Sequence, residues 1–200
     1  MNDTEKKEKL ELLLRDEQHL SVKDAEVAVQ IAENLEDSDF RSWYLSRLAK
    51  KIATTKRWDI ALKLAKSATG FYDRADALIT IAERIAKEQE KQTTVELLNE
   101  IITSVNEITS DEVWPWQKAE IFNRAAKLFL QIGDLDSALE TWGKAVEIAQ
   151  VAQNYDIDSS TVLVEIAKEL FAAGQLEFAK RVAESIQSVG KREYALKQIT

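Results

Sequence analysis

Few residues in this sequence have the types and spacing that catalysis needs. There is no cysteine and His19 is the single histidine, so thiolate sites and multi-histidine metal sites are excluded. The five glycines stand far apart and form no phosphate-binding loop. The acidic runs 36–39 and 156–158 lack the spacing of a calcium loop. We therefore predict a protein that is not an enzyme and that has no cofactor and no bound metal.

The charge is unevenly distributed. The formal net charge is −8, of which −7 falls in residues 1–40 and only −1 in the remainder. Nucleic-acid binding needs a basic face that displaces counterions from phosphates, so this balance argues against it. The N-terminal residues are charged and contain no long apolar run, which predicts neither a signal peptide nor a membrane span. We expect a soluble cytoplasmic protein.

Two apolar patterns alternate along the chain, and each has the i, i+3, i+4, i+7 spacing of an amphipathic helix. Pattern A is anchored at Leu45, Leu78, Phe122, Leu163 and Leu196, and pattern B at Ala28, Ala61, Thr94, Ala138 and Ala179. Each of the first four A anchors is followed by a B anchor 16 residues later. One proline and five glycines are too few for the frequent turns of a β-rich fold. The sequence therefore predicts an all-α fold, an α-solenoid of about 10–11 helices arranged in antiparallel pairs.

The predicted helices follow from the anchors. The A helices are expected near 41–55, 74–90, 115–132, 159–173 and 191–200, and the B helices near 22–36, 58–69, 92–109, 135–154 and 175–188. Small residues recur at one position of each pattern, which lets neighbouring helix backbones approach closely: Ala49, Ala82, Ala126 and Ala167 in A, and Ala28, Ala61, Ala138 and Ala179 in B. We predict an acidic N-terminal capping helix in residues 1–24 and a repeat domain in residues 25–200.

Residues 119–149 resemble a tetratricopeptide repeat. Large and small residues stand at the signature positions of that motif: Phe122, Ala125, Ala126, Phe129, Ala138, Trp142 and Ala145. Gly133 and Asp134 occupy its turn, and Gly174 the same turn in the next repeat, whereas Lys56 and Gln89 stand where the family has glycine. The resemblance extends over roughly residues 25–200 and implies a right-handed superhelix whose A helices line a concave groove.

The only proline, Pro115, lies between Trp114 and Trp116 in a lengthened connection between B and A helices. Proline suits the first turn of a helix, so a helix is expected to begin at Pro115. The preferred interpretation of the two tryptophans is that they cover the protruding ends of the longer helices, and the alternative is a binding patch.

The tetratricopeptide resemblance places one set of residues in the groove. These candidate binding residues are Trp43, Arg47, Lys50, Asn123, Arg124, Lys127, Gln131, Lys168 and Phe171. Their basic members favour a partner segment that is acidic or ends in a carboxylate. The alternative is that they are ordinary solubilising side chains on exposed helix faces.

A basic residue recurs just before each A pattern, at Arg41, Arg74, Lys118 and Arg192. A cation near a helix N-terminus opposes the helix dipole and needs compensation. The preferred interpretation is an inter-helix salt bridge that sets the stacking, with Asp39, Asp73 and Glu193 as the acidic residues nearby in sequence. The less favoured alternative is a role in ligand binding.

The predicted function is a protein–protein interaction module that binds a peptide or protein segment without turnover. The alternative is a structural scaffold, in which the chain self-associates through its C-terminal helix 191–200 or forms part of a larger protein. Binding of nucleic acid by the helical repeats is a less favoured third hypothesis.

Overall fold

The structure is a computed structural model that describes residues 1–15, 20–108, 114–154 and 157–199. Within these ranges it contains eleven α-helices, one 3₁₀ turn at Ala53–Thr55, and no strand. The α-helices are α1 (Asp3–Arg15), α2 (Val22–Glu33), α3 (Ser38–Ile52), α4 (Trp58–Ser67), α5 (Phe71–Lys87), α6 (Lys91–Glu107), α7 (Pro115–Gln131), α8 (Leu135–Ala152), α9 (Ile157–Ala172), α10 (Leu176–Glu184) and α11 (Val189–Gln198). His19, residues 111–113 of the predicted break near 111–114 and residues 155–156 of the predicted break near 155–160 lie outside the described residues. Residues 157–160 already belong to α9, so the second break is shorter than predicted. The expectation of an all-α fold is confirmed.

The chain divides into two compact units, Met1–Ile101 and Ile102–Thr200, called unit 1 and unit 2 below. In unit 1, α3 packs against α2, α4 and α5, and α1 packs against α2 and α3. In unit 2, α7 packs against α8 and α9, and α9 packs against α8, α10 and α11. Contacts between second-neighbour helices thus join α1 with α3, α3 with α5, α7 with α9, and α9 with α11.

Alanine at the repeated positions explains how these helices pack. All eight predicted small residues are fully buried: Ala49, Ala82, Ala126, Ala167, Ala28, Ala61, Ala138 and Ala179. Side chains that bury no more than a methyl group let adjacent backbones come close, while leucine and isoleucine beside them fill the remaining core volume. These positions therefore lie in the core.

Four turns have a residue in the left-handed backbone region. Gly133 and Gly174 have φ values of 81° and 76°, as the turn glycines predict. Lys56 and Gln89 have φ values of 60° and 64°, although they carry a Cβ that disfavours this conformation. The four turns therefore share one backbone geometry even where the expected glycine is absent.

The three recurrent arginines bind backbone carbonyls rather than acidic side chains, so the salt-bridge interpretation is wrong for them. The guanidinium of Arg41 donates to the Leu35 carbonyl oxygen at 2.8 Å. Two further pairs repeat the same spacing of six residues: Arg74 donates to Ala68 at 3.3 Å, and Arg192 donates to Ile186 at 3.2 Å. Carbonyls where a helix ends have no partner within the helix and carry partial negative charge, which compensates each cation. Lys118 Nζ binds the carbonyl of Ile108, which follows α6.

Pro115 is the first residue of α7, where the sequence predicts a helix start. The backbone N–H of Trp114 donates to Oε1 of Gln117 at 3.2 Å, which fixes the entry into the helix. The side chain of Trp114 is 64% exposed, so its predicted role as a buried cover is wrong. Trp116 is half-buried. Trp114 immediately precedes the first residue of α7, and its side chain is exposed to solvent there.

Among the described residues, no helix is both long enough and apolar enough to cross a lipid bilayer.

Candidate functional site

The candidate binding residues divide between the two units. Trp43, Arg47 and Lys50 lie on α3 in unit 1. The other six lie in unit 2: Asn123, Arg124, Lys127 and Gln131 on α7, and Lys168 and Phe171 on α9. The structure therefore places two sets of candidate residues, each on the helices of one unit.

Arg47 is held between an aromatic ring and a carboxylate. Its Nη1 lies 2.9 Å from Oε1 of Glu11, and its guanidinium carbon lies 4.4 Å from the centroid of the Trp43 ring. Trp43 in turn meets Tyr44 edge-to-face, with ring centroids 4.8 Å apart. Arg47 thus joins α1 to α3 instead of standing free on the surface. Sequence reasoning missed this partner because Glu11 belongs to α1, the helix that fits the repeat poorly.

Tyr44 completes the junction between α1 and α3. Its hydroxyl donates to Oε1 of Glu11 at 3.1 Å, the same oxygen that Arg47 binds. Burial raises the pKa of Tyr44 to about 12, and the hydrogen bond to Glu11 and its negative charge act in the same direction. At neutral pH this phenol is a neutral structural donor.

Lys50 also has an intramolecular partner. Its Nζ lies 2.5 Å from Oδ2 of Asp76 on α5, and both side chains are partly buried. The two basic residues that the sequence offered as ligand contacts in unit 1 are therefore each paired with an acid of the same unit.

A cavity of about 350 Å³ opens where α3 and α5 begin. It is lined by two aromatic and two acidic side chains: Phe40, Trp43, Asp39 and Asp73. Phe40 is 45% exposed and Trp43 is 40% exposed, which is high for such large apolar groups. We call these four residues the aromatic–acidic cavity.

Asp73 is set into the wall of this cavity by a close backbone approach. The N–H of Gly70 donates to the Ser42 hydroxyl oxygen at 2.7 Å. A Cβ on Gly70 would lie 2.9 Å from Ser42 Oγ and 2.9 Å from Asp73 Oδ2, so a side chain at residue 70 would displace both groups. Burial raises the pKa of the Asp73 carboxyl, and a hydrogen bond with Ser42 and the charge of Lys50 oppose this effect.

In unit 2, Asn123 is not on the surface. Its side chain is 3% exposed, and its Oδ1 accepts a hydrogen bond of 2.9 Å from Nε1 of Trp142, which is fully buried. The amide therefore satisfies the indole N–H inside the core. The sequence did not predict that Asn123 is buried, because a single polar residue two positions before Ala125 is compatible with either the core or the surface.

The remaining unit 2 candidates differ in their exposure. Lys127 is exposed and its Nζ lies 2.7 Å from Oε1 of Glu169 on α9. Lys168 and Phe171 are exposed and lie three residues apart, on the same side of α9. Gln131 is exposed and Arg124 is half-buried. An exposed ion pair contributes little and exchanges readily, so the lysines of this surface remain available to an anionic partner.

A second cavity of about 280 Å³ lies between α2 and α4. Its apolar floor is formed by residues such as Val29 and Ile60, and its rim carries Glu26, Glu33, Arg57 and Lys63. These charges are of both signs, so they select no single class of ligand. Among the described residues, no group of three or more metal-ligating side chains is gathered in one place.

The all-α fold has a counterpart of known structure. The crystal structure of Ton1535 from Thermococcus onnurineus NA1 matches with a TM-score of 0.54 and 18% sequence identity, over 98% of this chain and 57% of that chain. This chain thus spans a little over half the length of that protein. At this identity the likeness shows the fold alone. No protein-family model matches the sequence, and no curated protein matches it.

Proposed function

We propose that the protein is a non-enzymatic interaction module that binds an extended segment of a partner protein. The observation that carries this proposal is the aromatic–acidic cavity, in which Phe40 and Trp43 are both at least 40% exposed on a helix whose other face is buried. Exposed aromatic groups in a concave site are typical of peptide-binding surfaces, since they offer large contact area at low cost in conformational entropy.

A tetratricopeptide-like solenoid is part of the same proposal. The alternation of long and small residues, the four left-handed turns and the contacts between second-neighbour helices within each unit support it. In such an architecture α3 and α5 supply a recognition surface on unit 1, and α7 and α9 supply one on unit 2. The exposed Lys127, Lys168 and Phe171 then favour an acidic stretch of the partner against unit 2.

Selection from a library of displayed peptides tests this function. We expect enrichment of one consensus motif, with binding lost in a Phe40→Ser, Trp43→Ser variant or in a Lys127→Glu, Lys168→Glu variant. The matched control is Lys23→Glu with Lys180→Glu, which makes the same charge change at exposed residues on α2 and α10. Circular dichroism checks that each variant keeps its helicity. Failure to enrich any motif, or equal binding by all variants, would exclude a groove-binding module.

Self-association is the second candidate. The observation that favours it is the exposure of Val189 and Tyr194 on α11, at 57% and 51%. Sedimentation over a hundredfold range of concentration separates the two functions. A mass that rises with concentration, and that returns to one chain in a Val189→Lys, Tyr194→Lys variant, would support self-association.

A further inference from the structure

Two features of the aromatic–acidic cavity together determine which ligand charge it favours. Its surface is mainly apolar, Phe40 and Trp43 are exposed, and Asp39 and Asp73 line the same cavity. The two carboxylates are close enough that the charge of Asp39 affects the ionisation of Asp73. A neutral apolar ligand would leave both carboxylates without a partner, and an anionic ligand would be repelled.

The carboxylates of this cavity lack cationic partners. Among the residues that the structure describes, neither Asp39 nor Asp73 forms an ion pair. The hydroxyl of Ser38 lies 3.5 Å from Asp39, and Ser42 hydrogen-bonds Asp73. Of the nearby cations, Lys50 is bound by Asp76 and Arg47 by Glu11, although the charge of Lys50 still acts on Asp73.

The rings of the cavity already attract cations from within the chain. The Nζ of Lys7 lies 3.2 Å from the centroid of the Phe40 ring, and the guanidinium of Arg47 lies 4.4 Å from that of Trp43. The electron-rich face of an aromatic ring stabilises an ammonium or guanidinium group. Phe40 and Trp43 therefore sit in an environment in which a cation is the favoured neighbour.

We propose that this cavity binds a lysine or arginine side chain of the partner segment, with its charged end between Asp39 and Asp73 and its aliphatic stem on Phe40 and Trp43. This inference rests on the proposed function as an interaction module. A basic side chain fits because it presents methylene groups and a charge at its tip, which matches an aromatic surface bordered by carboxylates. The cavity volume of about 350 Å³ leaves room for one such side chain.

The half-burial of Asp73 supports this assignment. Because burial raises the pKa of its carboxyl, the ionised form costs folding free energy at neutral pH. An asparagine of the same shape would avoid that cost, and the ionised group recovers it when a cation binds. Asp73→Asn is accordingly expected to unfold at the same temperature as the wild type or above it.

Titration with short peptides, followed through the indole N–H signals in NMR, tests the proposal. The probes are acetyl-Gly-Lys-Gly-amide and acetyl-Gly-Arg-Gly-amide, and the uncharged control is acetyl-Gly-norleucine-Gly-amide at matched ionic strength. We expect saturable shifts of the Trp43 indole with the basic peptides and at least about fivefold weaker binding of the norleucine peptide. The Trp43 signal is assigned with a Trp43→Phe variant.

Two further variants complete the test: one removes the carboxylates of the cavity, and the other removes a competing cation. The double variant Asp39→Asn, Asp73→Asn is expected to bind the two basic peptides no more tightly than the norleucine peptide. Lys7→Met removes the competing ammonium from Phe40 and is expected to raise the affinity of the basic peptides. Equal shifts by all three peptides, or unchanged affinity in the double variant, would overturn the proposal. The peptide-library selection decides the proposed function separately: a motif without a basic residue keeps the module and rejects this cavity assignment.

Discussion

The indole Nε1 of Trp142 donates a hydrogen bond of 2.9 Å to Oδ1 of Asn123, and both side chains are buried between α7 and α8. A neutral donor and a neutral acceptor thus satisfy each other in a site from which water is excluded. Such pairs contribute little in net terms when complete, and leaving one partner alone costs its full desolvation penalty.

Asn123→Leu is therefore expected to destabilise the protein by about 1–3 kcal/mol, because the indole N–H of Trp142 loses its acceptor. Urea unfolding measures this change. In a Trp142→Phe background the same substitution should cost about 1 kcal/mol less, since no donor remains to be satisfied. An equal cost in both backgrounds would assign the effect to packing instead of to the hydrogen bond.

Tyr44 is expected to ionise well above the ordinary range of a tyrosine. Its pKa in the folded protein is about 12, against 10.0 for the free side chain, so its contribution to stability is fully present below pH 10 and is lost as the pH rises through 12. The absorbance of tyrosinate at alkaline pH follows the ionisation directly. Glu11→Gln should lower the pKa of Tyr44, because a neutral acceptor does not repel the phenolate. Ionisation of Tyr44 near pH 10 in the folded protein would contradict this.

The helices and their buried positions could be predicted from sequence because they follow local patterns. The apolar spacing and the buried alanines are repeated, and Pro115 marks a helix start by its own backbone chemistry. Partners far apart in sequence left no such pattern. Glu11 reaches Arg47 from 36 residues away, and Lys50 reaches Asp76 over 26 residues.

Two features of the candidate site were missed for a related reason. The basic candidates were selected by their charge and by the helix face on which they lie. Their ion pairs depend instead on which acidic residues the adjacent helix presents. Asp39 and Asp73 were read as neighbours of the recurrent arginines, but those arginines bind carbonyls. The acids are left to line the aromatic–acidic cavity. A search for acidic residues opposite exposed aromatic residues at the starts of A helices would have found it.

Gln89→Gly is expected to stabilise the protein by about 0.5–1 kcal/mol. Gln89 has a φ of 64°, where a Cβ is disfavoured and glycine is not, so the substitution relieves strain that exceeds the entropy glycine loses on folding. The control is Gln92→Gly, three residues later in the first turn of α6, where helical backbone makes glycine unfavourable by up to about 1 kcal/mol. Thermal unfolding of both variants should show opposite signs. A loss of stability at residue 89 would show that its side chain contributes more than the strain costs.

Gly70→Ala tests whether the wall of the aromatic–acidic cavity depends on close approach of the backbone. The new Cβ would lie 2.9 Å from Ser42 Oγ and from Asp73 Oδ2, so we expect a loss of about 1–3 kcal/mol and displacement of the Asp73 carboxylate. The matched control is Gly143→Ala within α8, where a Cβ meets nothing within 4 Å and alanine should add up to about 1 kcal/mol of stability. Denaturant unfolding compares the two variants. Because the new Cβ would displace Ser42 and Asp73, Gly70→Ala should also weaken binding of the lysine peptide. Gly143→Ala should leave that binding unchanged. If Gly70→Ala lowers stability but leaves peptide binding unaltered, Gly70 supports the fold and does not shape the cavity.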